Sequence, residues 1–140
     1  MKEWVIITLL TAGPLLWMAG GTWLKSLRRI VWPIVTGGSI GLSGVGWLTA
    51  IGVSGGLILV NSLPYGDRTP WLGKATVFTL LTVPVLIISL KAVWIVVVSA
   101  VILNLAFWAT RRWGWWTHKL SEGIAGFVQA ASIVLSVLIA

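Results

Sequence analysis

The chain has 140 residues, of which 58% are apolar and 9% charged, and its mean hydropathy is +1.00. A soluble domain is about 25% charged and at this size leaves much of its surface in water, so the composition excludes an ordinary soluble fold. Ten Lys/Arg against three acidic residues give a net charge of +7. The basic residues lie in short clusters between apolar runs, as membrane topology signals do, and form no groove that would bind nucleic acid.

Trp4 to Leu24 is an uncharged run of 21 residues, enough at about 1.5 Å per residue to span a hydrocarbon layer of about 30 Å. It reads as a first membrane span, with a kink expected at Pro14. A signal peptide fits less well, because Glu3 weakens the basic start and Trp17-Met18 sit badly before a cleavage site.

Ile30 to Val60 is 31 uncharged residues, a helix of about 46 Å if continuous, which is too long for one crossing without strong tilt. Gly37 to Gly46 holds five glycines in ten residues, so either one tilted helix or a broken, re-entrant hairpin is open. Charge favours the hairpin. It puts Lys25, Arg28, Arg29, Arg68, Lys74, Arg111, Arg112 and Lys119 on one side and Lys2 and Lys91 on the other, whereas a single crossing divides them six to four. The spacings Gly37-x3-Gly41 and Gly52-x3-Gly56 mark faces where helix backbones can approach closely.

The polar stretch Asn61–Lys74 then divides the chain, with turn chemistry at Pro64-Tyr65-Gly66-Asp67. Beyond it the expected segments are 75–90, a turn at Lys91, 92–110, a basic loop 111–119, and 123–140. The fold expected is an all-α polytopic transmembrane bundle of five or six segments in a single domain. Ten of the eleven tryptophans fall at the expected interfaces: Trp23, Trp32, Trp71, Trp108, Trp113, Trp115 and Trp116 on the inner side, Trp4, Trp47 and Trp94 on the outer. Trp17 is left within a span.

Chemistry-bearing residues are few. His118 is the only histidine, and with Asp67 it is the one acid–base pair that topology would put on one face. One histidine, no cysteine and no paired carboxylates leave no metal site, and no glycine run ends as a P-loop does. No catalytic residue or cofactor is expected. Asn104 and Gln129 are the strong polar groups within spans, suited to interhelical hydrogen bonds or to lining a pore. Arg28, Arg29, Arg68, Lys74, Arg111, Arg112 and Lys119 suit anionic lipid headgroups, at about 1 kcal/mol each near the surface.

The run Tyr65-Gly66-Asp67-Arg68-Thr69-Pro70-Trp71-Leu72-Gly73-Lys74, after Leu27-Arg28-Arg29 and Trp32-Pro33, resembles small uncharacterised membrane proteins of tailed bacteriophages over residues 25–75. The resemblance implies a phage or prophage origin and the bacterial inner membrane, and carries no known activity. Holins are the obvious class of that size, although the uncharged end Ser132–Ala140 departs from their charged tails. Three functions follow. The first is a non-enzymatic membrane protein that assembles with itself or another membrane protein. The second is a small channel or transporter. The third is a lipid-modifying enzyme of the inner leaflet using His118 and Asp67.

Overall fold

The computed structural model describes residues 3–19, 30–62, 71–110 and 115–139, and all its regular structure there is helical. After α1 (Glu3–Ala19) the second apolar segment is broken at its glycines into α2 (Trp32–Leu42) and α3 (Trp47–Asn61). Gly44 and Gly46 have φ of 87° and 110°, a conformation that costs a side-chain-bearing residue and ends the helix. The carbonyls freed there are claimed locally: Ser43 N–H bonds Ser39 O at 3.0 Å and Ile40 O at 3.2 Å, and Ser43 Oγ donates to Ile40 O at 2.7 Å. The two arms run antiparallel, joined where Ser54 Oγ donates to Pro33 O at 2.9 Å.

The third apolar segment is also broken. A single helix over 75–90 is the sequence expectation, but α4 (Trp71–Leu80) stops and 3-10 turns follow at Val83–Ile87 and Leu90–Ala92. Pro84 accounts for this. Its ring would clash with the carbonyl four residues back, at Leu80, and it has no N–H to donate. Lys91 lies exposed in the second of these turns. α5 (Val93–Thr110) and α6 (Trp115–Ile139) complete the chain.

The two breaks bear on the expected count of five or six membrane segments. Among the described residues two helical stretches, Leu90–Ala109 and Leu120–Ile139, are long and apolar enough to cross a bilayer. Glu3–Met18, Trp47–Asn61 and Ala75–Ile87 are apolar but shorter. The 11 residues of α2 and 15 of α3 reach only about 16 and 22 Å.

The helices close into a ring: α1 packs on α2, α2 on α3, α3 on the turn Val83–Ile87, α4 on α5, α5 on α6, and α1 returns to α6. α1 and α6 run antiparallel, with Gly13 against Gly126 and Ala130, and Met18 against Gly123. α5 meets α6 through a buried Ser99–Ser132 hydroxyl pair at 2.9 Å, and α4 through Phe78 stacked on Phe107 at 4.8 Å. α6 is the most enclosed element, with Ala125, Gln129, Ala130, Ile133 and Ser136 buried.

The core is apolar, built on residues such as Leu9, Ile40, Leu57, Leu81, Leu103 and Ile133, and much of the outer surface is apolar as well. Val93, Trp94, Val97, Val98, Val101, Ile102, Leu105 and Trp108 make one continuous exposed apolar stripe along α5. Leu48, Ile51 and Leu59 are exposed on α3, and Ile7 and Leu15 on α1. Asn61, Ser99, Glu122, Gln129, Ser132 and Ser136 are buried. Glu3, Lys91 and Glu122 are the charged residues whose side chains are described. Exposed hydroxyls turn back onto their own helices: Thr8 Oγ1 donates to Trp4 O at 2.7 Å, Thr79 Oγ1 to Ala75 O at 2.8 Å, and Thr11 Oγ1 to Ile7 O.

Candidate functional site

Pro84 creates the need that the central site meets. In the 3-10 turn, Val85 N–H bonds Thr82 O at 3.2 Å rather than Leu81 O. Leu81 O is thereby left without a helical donor inside the bundle. Gln129 Nε2, from α6, donates to it at 2.7 Å and to Asn61 Oδ1 at 3.0 Å. Because Leu81 O can only accept, the orientation of the Gln129 amide is settled. Its oxygen then faces donors: Trp32 Nε1 at 2.8 Å, Trp17 Nε1 at 3.3 Å and Asn61 Nδ2 at 3.4 Å. Gln129, Trp32, Trp17 and Asn61 are all at most 1% exposed.

One amide thus fastens α1, α2, α3, the end of α4 and α6. The pattern also fixes relative depth. Trp17 lies near the end of α1, Trp32 at the start of α2 and Asn61 at the end of α3. All three reach the same oxygen, so these helix ends share one level. The chain therefore enters and leaves the α2–α3 hairpin at the same end of the bundle.

The hub has both amide protons and both carbonyl lone pairs of Gln129 in use, so it is suited to holding helices together rather than to moving protons. Thr82 Oγ1 is buried beside this break with no partner among the described residues. Glu122 is 7% exposed and lies seven residues before Gln129, on the same face of α6. Among the described residues no group of three His, Cys, Asp or Glu could hold a metal.

The four glycines of the two x3 spacings lie against neighbours within the chain. An added Cβ would come to 1.8 Å from Ser54 Oγ at Gly37, 2.4 Å from the Trp47 ring at Gly41, 3.1 Å from Ile87 at Gly52 and 3.1 Å from Pro84 at Gly56. Asn104 is separate from the hub. Its Nδ2 donates to Ala100 O at 2.8 Å and to Thr79 Oγ1 at 3.3 Å, linking α5 to α4. Trp4, Trp47, Trp94 and Trp108 are exposed, but Trp32, expected at an interface, is buried because its indole N–H is bound by Gln129.

Arg28, Arg29, Arg68, Arg111 and Arg112, with Asp67, lie outside the described residues, as do the side chains of Lys74, His118 and Lys119. Sequence reasoning missed Trp17, Trp32 and Asn61 as partners of Gln129, the Gly13–Gly126 crossing, and the burial of Glu122. No protein-family model, curated protein or solved structure matches the chain.

Proposed function

We propose that this chain is a non-enzymatic integral membrane protein of the bacterial inner membrane, built as a six-segment bundle that assembles in the bilayer in a holin-like or membrane-remodelling role. The observation that carries this is the outer surface: an apolar stripe the length of α5 faces outward while the polar Gln129, Asn61, Ser99 and Ser132 are paired inside. In water such a stripe would be a large unfavourable patch, whereas in lipid it is the solvent-facing surface. The short α2–α3 hairpin is accommodated by local thinning of the bilayer, with exposed Trp47 at its tip. Trp4, Trp94 and Lys91 belong to that same outer end, and the basic clusters to the inner end, where they meet anionic headgroups. The phage association rests on the resemblance around Tyr65–Lys74.

A channel or transporter is the second reading. It is favoured by the broken α4 segment and the unmatched Thr82 Oγ1 beside it, since discontinuous helices often line substrate sites.

Expression in a bacterium tests the first reading. The chain should stay with membranes through an alkaline carbonate wash, cross-link into oligomers, and collapse the membrane potential on induction. Release by carbonate would end the membrane reading. Retention as a monomer with an intact potential would end the assembly role.

A further inference from the structure

The apolar stretch of α6 that can cross a bilayer is Leu120–Ile139, and its 20 residues span about 30 Å, the thickness of the hydrocarbon layer. Gln129 is the tenth of them, so the hub lies at the bilayer midplane. Asn61, at the end of α3, exchanges two amide bonds with it, at 3.0 and 3.4 Å. Packed helix axes stand about 8–10 Å apart, so these two side chains spend their reach sideways, and little is left for a difference in depth. The end of α3 is therefore at the midplane as well. Trp32 Nε1, on the same oxygen at 2.8 Å, holds the start of α2 close to that level. Measured from there, the 11 residues of α2 and 15 of α3 rise about 16 and 22 Å, which matches one half of the layer. The tip of the hairpin, with exposed Trp47, then falls at the outer interface.

At this depth the ends of the hairpin are open. Ser62, which closes α3, is exposed, and Ile30 and Val31, which lead into α2, are 48% and 37% exposed. A helix start leaves its first N–H groups, and a helix end its last C=O groups, without helical partners. In a membrane such backbone is either buried in protein or set on a water-filled cavity, and it does not face lipid. Exposure removes the first case, so these ends face water. We propose that α2–α3 is a re-entrant hairpin confined to the outer half of the bilayer, and that its ends open into a water-filled vestibule. The vestibule reaches the midplane from the inner side, where α5 ends and α6 begins, and the Gln129 hub is its floor. The thinning that a short hairpin demands is thus met from the inner side, by water. Small hydrophilic solutes enter to mid-depth and stop at the hub, whose amide is fully engaged. The inference rests on the membrane reading above.

The test places single cysteines in the full chain, which has none of its own, in inside-out and right-side-out membrane vesicles. Ser62→Cys probes the vestibule. Val101→Cys is the reference, because Val101 is the ninth of the 18 residues of α5, at a similar depth, on the exposed apolar stripe. A thiol reacts as the thiolate, which forms in water and is suppressed in apolar surroundings. A small charged methanethiosulfonate should modify Ser62→Cys from the inner side at least about tenfold faster than Val101→Cys. A polyethylene-glycol maleimide, too bulky for the vestibule, should modify neither. Ser62→Cys reacting as slowly as Val101→Cys overturns the vestibule, and so does reaction from the outer side. Reaction of Ser62→Cys with the bulky maleimide puts residue 62 at the surface and overturns the re-entrant depth. Fast reaction of Val101→Cys puts the α5 stripe in water, which overturns the membrane reading and the vestibule with it.

Discussion

Gln129→Met is expected to cost about 3 kcal/mol or more, and to lower the midpoint of thermal unfolding in detergent by on the order of 10 °C. Methionine keeps the length and removes the amide. Trp32 Nε1 and Leu81 O then lose their bonds at 2.8 and 2.7 Å, and Asn61 loses its reciprocal amide pair. A single interhelical hydrogen bond in a membrane is worth only about 0.6 kcal/mol on average, up to about 1.7. The larger expectation comes from stranding several buried groups at once, each at about 1–3 kcal/mol. Asn61→Leu should cost less, because Gln129 still holds Leu81 O and Trp32. The double variant should cost little more than Gln129→Met alone, since both changes break the same pair. Additive losses would show that Gln129 is not the hub.

The second large effect is steric. A Cβ at Gly126 would lie 2.4 Å from Gly13 O and 2.8 Å from Trp17 Cδ1, and one at Gly13 would lie 2.6 Å from Gly126 O. The obstacle is main chain on both sides, so no side chain can swing away. Gly126→Ala is expected to push α1 off α6 and cost about 3 kcal/mol, at the upper end of overpacking effects. It should also lengthen the 3.3 Å Trp17–Gln129 bond. Gly38→Ala is the control, because nothing lies within 4 Å of an added Cβ there. In a helix that change alone gains up to about 1 kcal/mol. Thermal unfolding of the two variants should therefore move in opposite directions, and a Gly126→Ala protein as stable as wild type would refute the close crossing.

The helical class and the break at the glycines were legible because composition and positive-φ demand act locally. Gly44 and Gly46 sit within the ten-residue stretch that length and glycine content singled out. Gln129 and Asn104 stood out as amides in apolar runs, but their partners did not. The hub joins residues 17, 32, 61, 81 and 129, and nothing in a chain read one segment at a time brings those five together. Leu81 contributes only a backbone carbonyl, which has no sequence signature of its own. Its availability follows from Pro84, three residues on. That proline is visible in the sequence, but its effect was masked by the hydrophobicity of the whole 75–90 run. Trp32 was assigned by the general preference of indoles for interfaces, and a specific buried acceptor outweighed that preference. Gly13 and Gly126 lack the Gly-x3-Gly spacing that drew attention to the hairpin glycines: Gly13 has Leu9 and Trp17 four residues away, and the x3 partner of Gly126 is Ala130.

The central claim is a bundle inserted in lipid, with the α2–α3 hairpin entering and leaving on one side. Single cysteines on this cysteine-free background, probed in intact cells with a membrane-impermeant thiol reagent, test it most directly. Cysteines replacing Ser26 and Thr69 should react from the same side of the membrane, and one replacing Lys91 from the opposite side. Ser26 and Thr69 reacting from opposite sides would make residues 30–62 a single crossing and contradict the account.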